Sequence, residues 1–415
     1  MPKVSNPPPD PAADPVIVNR RGAARLTAGH PWVYRSDVVS RPEAPRFAPV
    51  HDERGRPLGW AAVNPSSEIA VRRVHAGAEP VGGETLVRAL DRALDHRERL
   101  MADPASGIAG DEGVRLVHAD ADALPGLVVD RFGDVLVVQS ASAPLEPYLG
   151  ALVEALAART GATGVLGRFD SSAREREGLT TDVRVLAGHV GERVAFVAGG
   201  LALEVDPWRG QKTGAFLDQR VNARRLAAYA HGRGLDVFSY GGGFGLRLAR
   251  GADGAPGVRE LELVDTSASA LQQAAAAFER NGLPRPRLEA SDAFARLRAL
   301  DAERRSVRGP GFDVISLDPP ALAKRRRDLD RAYAGYKELN LRALKVLAPG
   351  GVLGTSSCSF HVSEEDFVTM LEDAAADAGR ACRVLGRFGA APDHPERLGF
   401  PESRYLTFVL LQAID

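Results

Sequence analysis

Hydrophobic and polar positions divide the chain into regions that differ in periodicity. Between Val16 and Val81, short apolar runs are interrupted by Gly and Pro, a pattern typical of a small β-rich module. The clearest strand candidates of this module are residues 16–18, 58–63 and 69–71. The following stretch, 86–101, carries leucines at helical spacing among charged residues and predicts an amphipathic linker helix.

A mixed pattern of strands and helices follows over residues 114–206. Two pairs of apolar runs, within 127–138 and 194–205, surround Gly-containing turns and predict β-hairpins. Residues 145–158 lie between the hairpins and predict a helix. We therefore expect a central α+β domain.

From about Gly210 onward, strand candidates alternate with helical stretches, which predicts a parallel, doubly wound sheet of the Rossmann-like type. The strand candidates are residues 237–238, 261–264, 288–289, 314–317 and 351–355, and the helical stretches are 244–250, 267–281 and 331–347. Two later runs, 383–385 and 405–411, are expected to complete this sheet as an antiparallel pair. The predicted divisions are a disordered N-terminus (1–15), the β-rich module (16–83), the linker helix and central domain (84–209) and the α/β domain (210–415).

Composition narrows the class of protein. The chain has 415 residues, too many for one hydrophobic core, and its hydrophobic content of 44% and charged content of 26% are those of an ordinary folded protein. No apolar run approaches the roughly 18 residues of a membrane span, and the Pro- and Ala-rich start has no secretory signal pattern. Two cysteines do not support a disulfide scaffold or a zinc site, so we expect a reducing cytoplasm and no metal.

The net charge of −1 excludes a uniformly basic nucleic-acid-binding protein, so any such contact needs local patches. One candidate patch contains Arg20, Arg21 and Arg25, and the other is the run 324–327. Either run is equally consistent with a solvated face. The second gains weight because it directly follows the sequence Asp318-Pro319-Pro320.

Two strand-end motifs carry the strongest chemical signal. Asp318-Pro319-Pro320 ends one apolar run, and Ser357-Cys358-Ser359 ends the next. Residues just beyond the carboxyl ends of neighbouring parallel strands face one ligand crevice. We therefore expect a carboxylate, a rigid turn and a thiol to lie together.

A glycine-rich segment, 239–245, follows the first strand of the α/β domain and opens a helix, an arrangement that suits an adenosine-containing cofactor. Asp265 ends the next strand, where a carboxylate can accept both ribose hydroxyls, and Asp292 ends the third strand, where it could accept from an adenine amino group. NAD is the competing cofactor, but the dinucleotide fingerprint fails because position 246 is Leu246. Asp318-Pro319-Pro320 favours S-adenosylmethionine, since a methyltransferase uses such a motif to hold a planar nitrogenous substrate. The polar segment 210–220 is either a surface loop or a lid over that cofactor.

The thiol and the carboxylate suit methylation of cytosine at carbon 5. That carbon becomes nucleophilic only when a thiolate adds at carbon 6, and Cys358 is the candidate nucleophile because Cys382 has no comparable setting. Asp318 would bind N3 of a base that has left its stack. Two alternatives stay open: Cys358 could be a small hydrophobic residue of the core, and an Asp-Pro-Pro motif also serves enzymes that methylate an amine without a thiol.

The motifs together resemble those of bacterial large-subunit rRNA methyltransferases that join an N-terminal PUA domain to a class I S-adenosylmethionine-dependent domain. The resemblance covers about residues 16–411, and its carriers are residues 29–34, 122–132, 210–220, 238–240, 318–320, 357–359 and 393–395. It implies that the β-rich module is the PUA domain, that the central domain helps to hold RNA, that the product is 5-methylcytosine and that Cys358 is the nucleophile. The predicted cofactor contacts are Phe216, Asp218, Gln219, Arg220, Tyr240, Gly241, Gly243, Asp265, Thr266, Asp292, Ala293 and Asp318, and the predicted substrate contacts are Pro319, Pro320, Lys324 and Arg325.

The lineage that the chain resembles lacks one cysteine of other 5-methylcytosine RNA enzymes, and the sequence departs from the family pattern itself at two places. Ala321 follows Pro320 where other 5-methylcytosine RNA enzymes carry a second cysteine, so one cysteine must perform the whole reaction. Gly241 stands where Thr is common, and Ala223 follows Asn222 where Arg is common, which puts individual cofactor contacts in doubt.

The expected partner is large-subunit rRNA or an assembly intermediate, with no membrane, and a homodimer is one oligomeric state to test. The alternatives to a cytosine-C5 enzyme are a related methyltransferase that acts on a ring nitrogen or an exocyclic amine, for example of guanine, and a catalytically silent RNA-binding assembly factor. An NAD-dependent dehydrogenase is a more distant alternative.

Overall fold

The computed structural model describes residues 13–252, 255–307, 309–323 and 326–415. The described chain divides into two compact units. Unit 1 contains the residues up to 198 together with 204–217 and 392–403. Unit 2 contains residues 199–203, 218–391 and 404–415.

Unit 1 begins with a five-stranded sheet in the order β1-β3-β4-β5-β2. Its elements are β1 (Val16–Val18), α1 (Arg20–Thr27), β2 (Trp32–Val33), β3 (Arg46–Asp52), β4 (Pro57–Val63) and β5 (Val71–His75). Helix α1 begins after Asn19, whose side chain accepts the Gly22 N–H at 3.0 Å and so satisfies one of the free amides of the first turn. Buried Val, Ala and Leu side chains of the strands and of α1 form a small core of their own.

A second sheet of unit 1 has the order β10-β9-β8-β7-β6. Its elements are α2 (Gly83–Ala102), β6 (Gly113–His118), β7 (Leu127–Phe132), β8 (Val135–Ser140), α3 (Leu149–Thr160), β9 (Gly164–Phe169), α4 (Ser172–Arg176) and β10 (Asp182–Gly188). Helix α2 buries Leu86, Leu90 and Leu94, the three leucines whose spacing predicted it. The chain continues with the strands β11 (Val194–Ala198) and β12 (Leu201–Val205), and the boundary between the two units falls within this stretch.

Unit 2 is built on a seven-stranded sheet in the order β15-β14-β13-β16-β17-β19-β18. Its elements are α5 (Arg220–Ala227), β13 (Arg233–Val237), α6 (Gly243–Arg250), β14 (Glu260–Asp265), α7 (Ala268–Arg280), β15 (Arg287–Ala290), α8 (Ala293–Val307), β16 (Phe312–Leu317), α9 (Leu329–Val346), β17 (Leu347–Ser357), α10 (Glu364–Ala378), β18 (Cys382–Phe388) and β19 (Thr407–Ala413). Strands β13 to β17 are mutually parallel, and β19 runs antiparallel to both of its neighbours.

The sheet of unit 2 confirms the predicted Rossmann-like α/β class and the antiparallel pair at its end. The chain first builds outward from β13 to β15 and then continues from β16 on the other side of β13. This reversal of strand order is where open α/β sheets bind ligands, at the carboxyl ends of the strands.

Several predicted boundaries were wrong for local reasons. Residues 143–148 form a 3-10 helix and only 149–160 an α-helix, because Pro144 and Pro147 lack the N–H groups that a continuous α-helix needs. Phe238 does not belong to β13, since its φ of 63° takes the backbone out of the extended region. Residues 69 and 70 precede β5 instead of forming part of it. The sequence analysis did not predict strands β2, β3, β6, β9 and β10 or helices α1, α4, α8 and α10.

Part of the predicted disordered N-terminus, residues 1–12, lies outside the described residues. The predicted domain boundaries stay predictions. Among the helices that the structure describes, none has the length and apolar character needed to cross a membrane.

Candidate active site

The two strand-end motifs lie side by side in unit 2. Strands β16 and β17 are parallel neighbours, and Leu317 pairs with Thr355, so the residues that follow them emerge at the same edge. The Cys358 Sγ atom lies 3.9 Å from the carbonyl oxygen of Pro319. The carboxylate, the Pro-Pro turn and the thiol therefore meet as the sequence predicted.

The Asp318 carboxylate is fixed by two donors from different parts of the chain. Gln219 Nε2 donates to Asp318 Oδ1 at 2.8 Å, and the hydroxyl of Ser356 donates to the same oxygen. The amide oxygen of Gln219 in turn accepts from Asn222 Nδ2 at 2.8 Å. Since Gln219 and Asn222 are both buried, this chain of amides holds Asp318 in one orientation.

Cys358 lies between two buried serines that contact one tyrosine. The Tyr336 hydroxyl is 2.8 Å from Ser359 Oγ and accepts a hydrogen bond from Ser357 Oγ at 3.2 Å. Ser359 Oγ also accepts the N–H of Ala323 at 3.1 Å, which links the cysteine loop to the loop after the Pro-Pro turn. Cys358 itself is half-buried.

The second thiol has a different setting. Cys382 is half-buried at the start of β18, and burial raises the pKa of its thiol. A raised pKa leaves less of the nucleophilic thiolate at neutral pH. Burial therefore makes Cys382 a poor nucleophile at neutral pH.

The glycine-rich loop after β13 leaves space where a cofactor would need it. A Cβ atom added at Gly241 or Gly243 would meet nothing within 4 Å, whereas one added at Gly245 would lie 2.5 Å from the Leu263 side chain. Packing therefore requires glycine only at position 245 of these three. The open space at the other two, at the start of α6, lets the backbone approach a bound ligand closely.

Asp265 organises this loop from the end of β14. Its two carboxylate oxygens accept the N–H groups of Tyr240, at 2.9 Å, and Ser267, at 2.8 Å. A carboxylate offers about four lone-pair sites, so both oxygens retain capacity to accept from the hydroxyls of a ribose. Tyr240 has a φ of 45°, and its left-handed backbone brings its N–H onto Asp265.

The remaining predicted cofactor residues occupy varied settings. Asp218 is buried, and its side chain accepts the Tyr405 hydroxyl at 2.7 Å. Asp292 is exposed and accepts the Ala295 N–H at 2.9 Å, as a residue that caps α8. Thr266 is exposed, Ala293 is buried and Arg220 is half-buried. Their roles in cofactor binding stay predictions.

Phe216 lies in unit 1, where the Lys212 ammonium group sits 4.4 Å from the centre of its ring. The predicted lid over the cofactor stays a prediction. Of the predicted substrate residues, Pro319 is buried and Pro320 is exposed, whereas Lys324 and Arg325 lie outside the described residues.

The basic cluster near the N-terminus is only partly available to a partner. Arg21 pairs with Asp37 at 2.6 Å, although its side chain is still 69% exposed. The Arg25 guanidinium group lies 4.7 Å from the centre of the Tyr34 ring. Arg20 is exposed.

Sequence reasoning missed three features of this site. The first is the pairing of Gln219 with Asp318, and the second is Tyr336, which the sequence presents only as one apolar position of a helix. The third is Asp236, whose pKa is raised to about 7, first by its burial. A carboxylate inside the apolar run 235–238 was the available signal for Asp236.

Comparison with known proteins agrees with this geometry. Residues 115–400 match the family model described as S-adenosylmethionine-dependent methyltransferase, and residues 16–75 match a PUA-like domain. The chain belongs to the S-adenosylmethionine-dependent methyltransferase family. This family match confirms S-adenosylmethionine, and not NAD, as the predicted cofactor.

Two named relatives are similar in sequence to this chain over nearly its whole length. A "Ribosomal RNA large subunit methyltransferase" of Deinococcus radiodurans is 37% identical over 95% of this chain and 96% of its own length. A "Ribosomal RNA large subunit methyltransferase I" of Tolumonas auensis is 36% identical over 94% of this chain and 96% of its own.

Solved structures support the fold. A SAM-dependent methyltransferase from Streptococcus mutans has a TM-score of 0.79 at 19% identity and covers 96% of this chain and 99% of its own. A methyltransferase solved in complex with S-adenosylhomocysteine has a TM-score of 0.80 at 18% identity, with the same coverage of both chains.

Proposed function

We propose that this methyltransferase makes 5-methylcytosine in large-subunit rRNA, with Cys358 as a covalent nucleophile. The observation that carries the proposal is the thiol beside the Asp318-Pro319 turn, on neighbouring strands at the cofactor edge of the sheet. The rRNA substrate is supported by the names of relatives that match 94–95% of the chain.

Each group has a distinct part in this reaction. The Cys358 thiolate forms a bond from Sγ to carbon 6 of the cytosine, and electron density moves to carbon 5 and N3. Asp318, which Gln219 and Ser356 hold in position, shares a proton with N3 as negative charge develops on that nitrogen. The bound cofactor would supply the electrophilic methyl group and would leave as S-adenosylhomocysteine. A base then takes the proton of carbon 5, and the electron pair of that bond forms the double bond to carbon 6 as the bond between sulfur and carbon 6 breaks, which restores the aromatic ring and frees the thiolate.

Cofactor binding is assigned to residues around the glycine loop. Gly241 and Gly243 would let the backbone approach the cofactor, and Asp265 would accept from its ribose hydroxyls. Since Asp265 also holds the N–H of Tyr240, ribose recognition and loop shape depend on the same carboxylate.

The test uses unmodified large-subunit rRNA, cofactor labelled in its methyl group, and three proteins: wild type, Cys358→Ala and Cys382→Ala. The RNA is digested and the labelled nucleoside identified by mass spectrometry. We expect label in 5-methylcytidine with wild type and with Cys382→Ala. Cys358→Ala should retain less than about a thousandth of the wild-type rate of methylation, because without the nucleophile the covalent intermediate cannot form.

A second experiment examines the covalent step directly. RNA that carries 5-fluorocytidine has no removable proton at carbon 5, so the adduct should stay attached to Cys358 and be visible by peptide mass spectrometry. Label in a methylated purine, or full activity of Cys358→Ala, would contradict the proposal and favour an enzyme that methylates nitrogen. RNA binding without any methyl transfer would favour an assembly factor.

A further inference from the structure

The hydroxyl of Tyr336 sits directly under the loop that carries Cys358. Tyr336 belongs to α9, its side chain is 1% exposed, and its hydroxyl contacts Ser357 and Ser359, the two neighbours of the cysteine. From these contacts we infer that Tyr336 is a positioning residue, which fixes the Cys358 thiol for attack and couples it to the Asp318 loop. This inference rests on the proposed function.

The ring of Tyr336 alone would serve the core equally well as phenylalanine. It packs edge-on against Phe367, with 5.7 Å between ring centres, inside the main apolar cluster of unit 2. Burying a hydroxyl is unfavourable unless it finds partners. Two partners of this hydroxyl, Ser357 and Ser359, are in the cysteine loop, and a third, the backbone of Leu322, is in the loop after the Pro-Pro turn. The polar atom of this side chain therefore contacts the loops that follow β16 and β17 and not the apolar core.

Ser359 extends the same connection to the loop of Asp318. Its hydroxyl accepts the Ala323 N–H at 3.1 Å, and its own N–H donates to Ser357 Oγ at 3.3 Å. One tyrosine hydroxyl thus holds both serines, and one of these serines holds the loop that follows Pro319 and Pro320. A shift of this hydroxyl would move thiol and carboxylate relative to each other.

The phenol is suited to hold this position without titrating. Burial raises the pKa of Tyr336, the hydrogen bonds with Ser357 and Ser359 offset part of that rise, and a negative charge on Cys358 adds to it. Tyr336 therefore stays a neutral hydroxyl over the range in which a thiol ionises. Its role is to orient the loop and not to transfer a proton.

The test compares Tyr336→Phe with Tyr333→Phe, both in a Cys382→Ala background so that Cys358 is the single thiol. Tyr333 is a matched control on the same helix, because its hydroxyl donates to Asp373 at 2.7 Å and, within the described residues, has no hydrogen bond to Ser357, Cys358 or Ser359. Alkylation of Cys358 by iodoacetamide needs neither RNA nor cofactor, so it tests the positioning whatever the reaction proves to be. Single-turnover methylation, the KM for RNA and cofactor affinity are measured beside it.

We expect Tyr336→Phe to slow alkylation at pH 7 by fivefold or more and single-turnover methylation by about ten- to a hundredfold. The KM for RNA and the cofactor affinity should stay within threefold of wild type, and Tyr333→Phe should match wild type throughout. Alkylation by Tyr336→Phe at a rate within twofold of the control, or faster, would overturn the inference.

If Tyr336→Phe fails to fold, Ser359→Ala removes one partner of the same hydroxyl and must slow alkylation and methylation in the same way. Ser359→Ala with wild-type alkylation and methylation would then overturn the inference. Failure of the proposed function would be recognised by a different result, because methylation would then not require Cys358.

Discussion

Asp236 gives a prediction that can be worked out quantitatively. Its side chain is 1% exposed in the centre of the sheet of unit 2, and its Oδ2 atom accepts the Gly245 N–H at 2.8 Å. Burial raises its pKa to about 7, the bond from Gly245 offsets part of that rise, and the charges of Asp318 and Asp265 add to it. We expect Asp236→Asn to stabilise unit 2 above neutral pH.

The sign follows from the protons bound in each state. The unfolded carboxyl titrates near 3.8 and the folded one near 7, so the folded state holds a proton that the unfolded state loses. The stability associated with this proton is fully present below the unfolded pKa and is lost as pH rises through about 7. At 1.36 kcal/mol per pKa unit, the whole difference corresponds to about 4 kcal/mol.

Asparagine has nearly the same shape, keeps an acceptor oxygen for Gly245 and does not titrate. Between about pH 4 and pH 8, the free energy of unfolding of wild type should fall by about 2–4 kcal/mol more than that of Asp236→Asn. Asp292→Asn is the matched control, since Asp292 is exposed and asparagine caps a helix as well as aspartate does.

The choice of probe matters because the tryptophans all lie in unit 1, at positions 32, 60 and 208. Their fluorescence therefore reports on unit 1, whereas Asp236 lies in unit 2. Hydrogen exchange of the β13 and β16 amides, followed by mass spectrometry at several pH values in urea, reports on unit 2. Equal pH dependence of exchange in wild type and Asp236→Asn would refute the assignment of a raised pKa to this carboxyl.

Two further predictions concern the glycine loop and a buried ion pair. Gly243→Ala should leave the melting temperature within about 2 °C of wild type, yet weaken cofactor binding, measured by calorimetry, tenfold or more. Gly245→Ala should instead lower the free energy of unfolding by about 1–3 kcal/mol, because its Cβ would meet the Leu263 side chain at 2.5 Å. Equal effects of both substitutions would contradict the proposal that the backbone at Gly243 approaches the cofactor. Arg97 is fully buried and bonds Asp122 through two nitrogens at 2.7 and 2.8 Å, so Asp122→Asn should destabilise unit 1 by about 3–5 kcal/mol in urea unfolding followed by tryptophan fluorescence. A free energy of unfolding of Asp122→Asn equal to that of wild type would contradict this prediction.

The sequence alone determined the class of the fold and which motifs follow the strands of its parallel sheet. The central strands β13 and β16 of unit 2 are buried on both faces and separated by helices, so their apolar runs and the intervening helical spacing are visible without coordinates. The motifs at their ends, including Asp265, Asp318 and Cys358, lie at the carboxyl edge because a parallel sheet presents all of its strand ends there.

Only the tertiary structure decided how those residues are held. Gln219 lies 99 positions before Asp318, and Tyr336 lies 21 and 23 positions before its two serines, so no local periodicity connects them. Likewise, whether glycine is needed for packing at position 245 but not at 241 or 243 depends on the distance to Leu263 on another strand. Local patterns follow from backbone geometry and solvent exposure, which act over a few residues. Hydrogen bonds between side chains distant in sequence instead follow from which elements pack together, and that is fixed only when the whole sheet has formed.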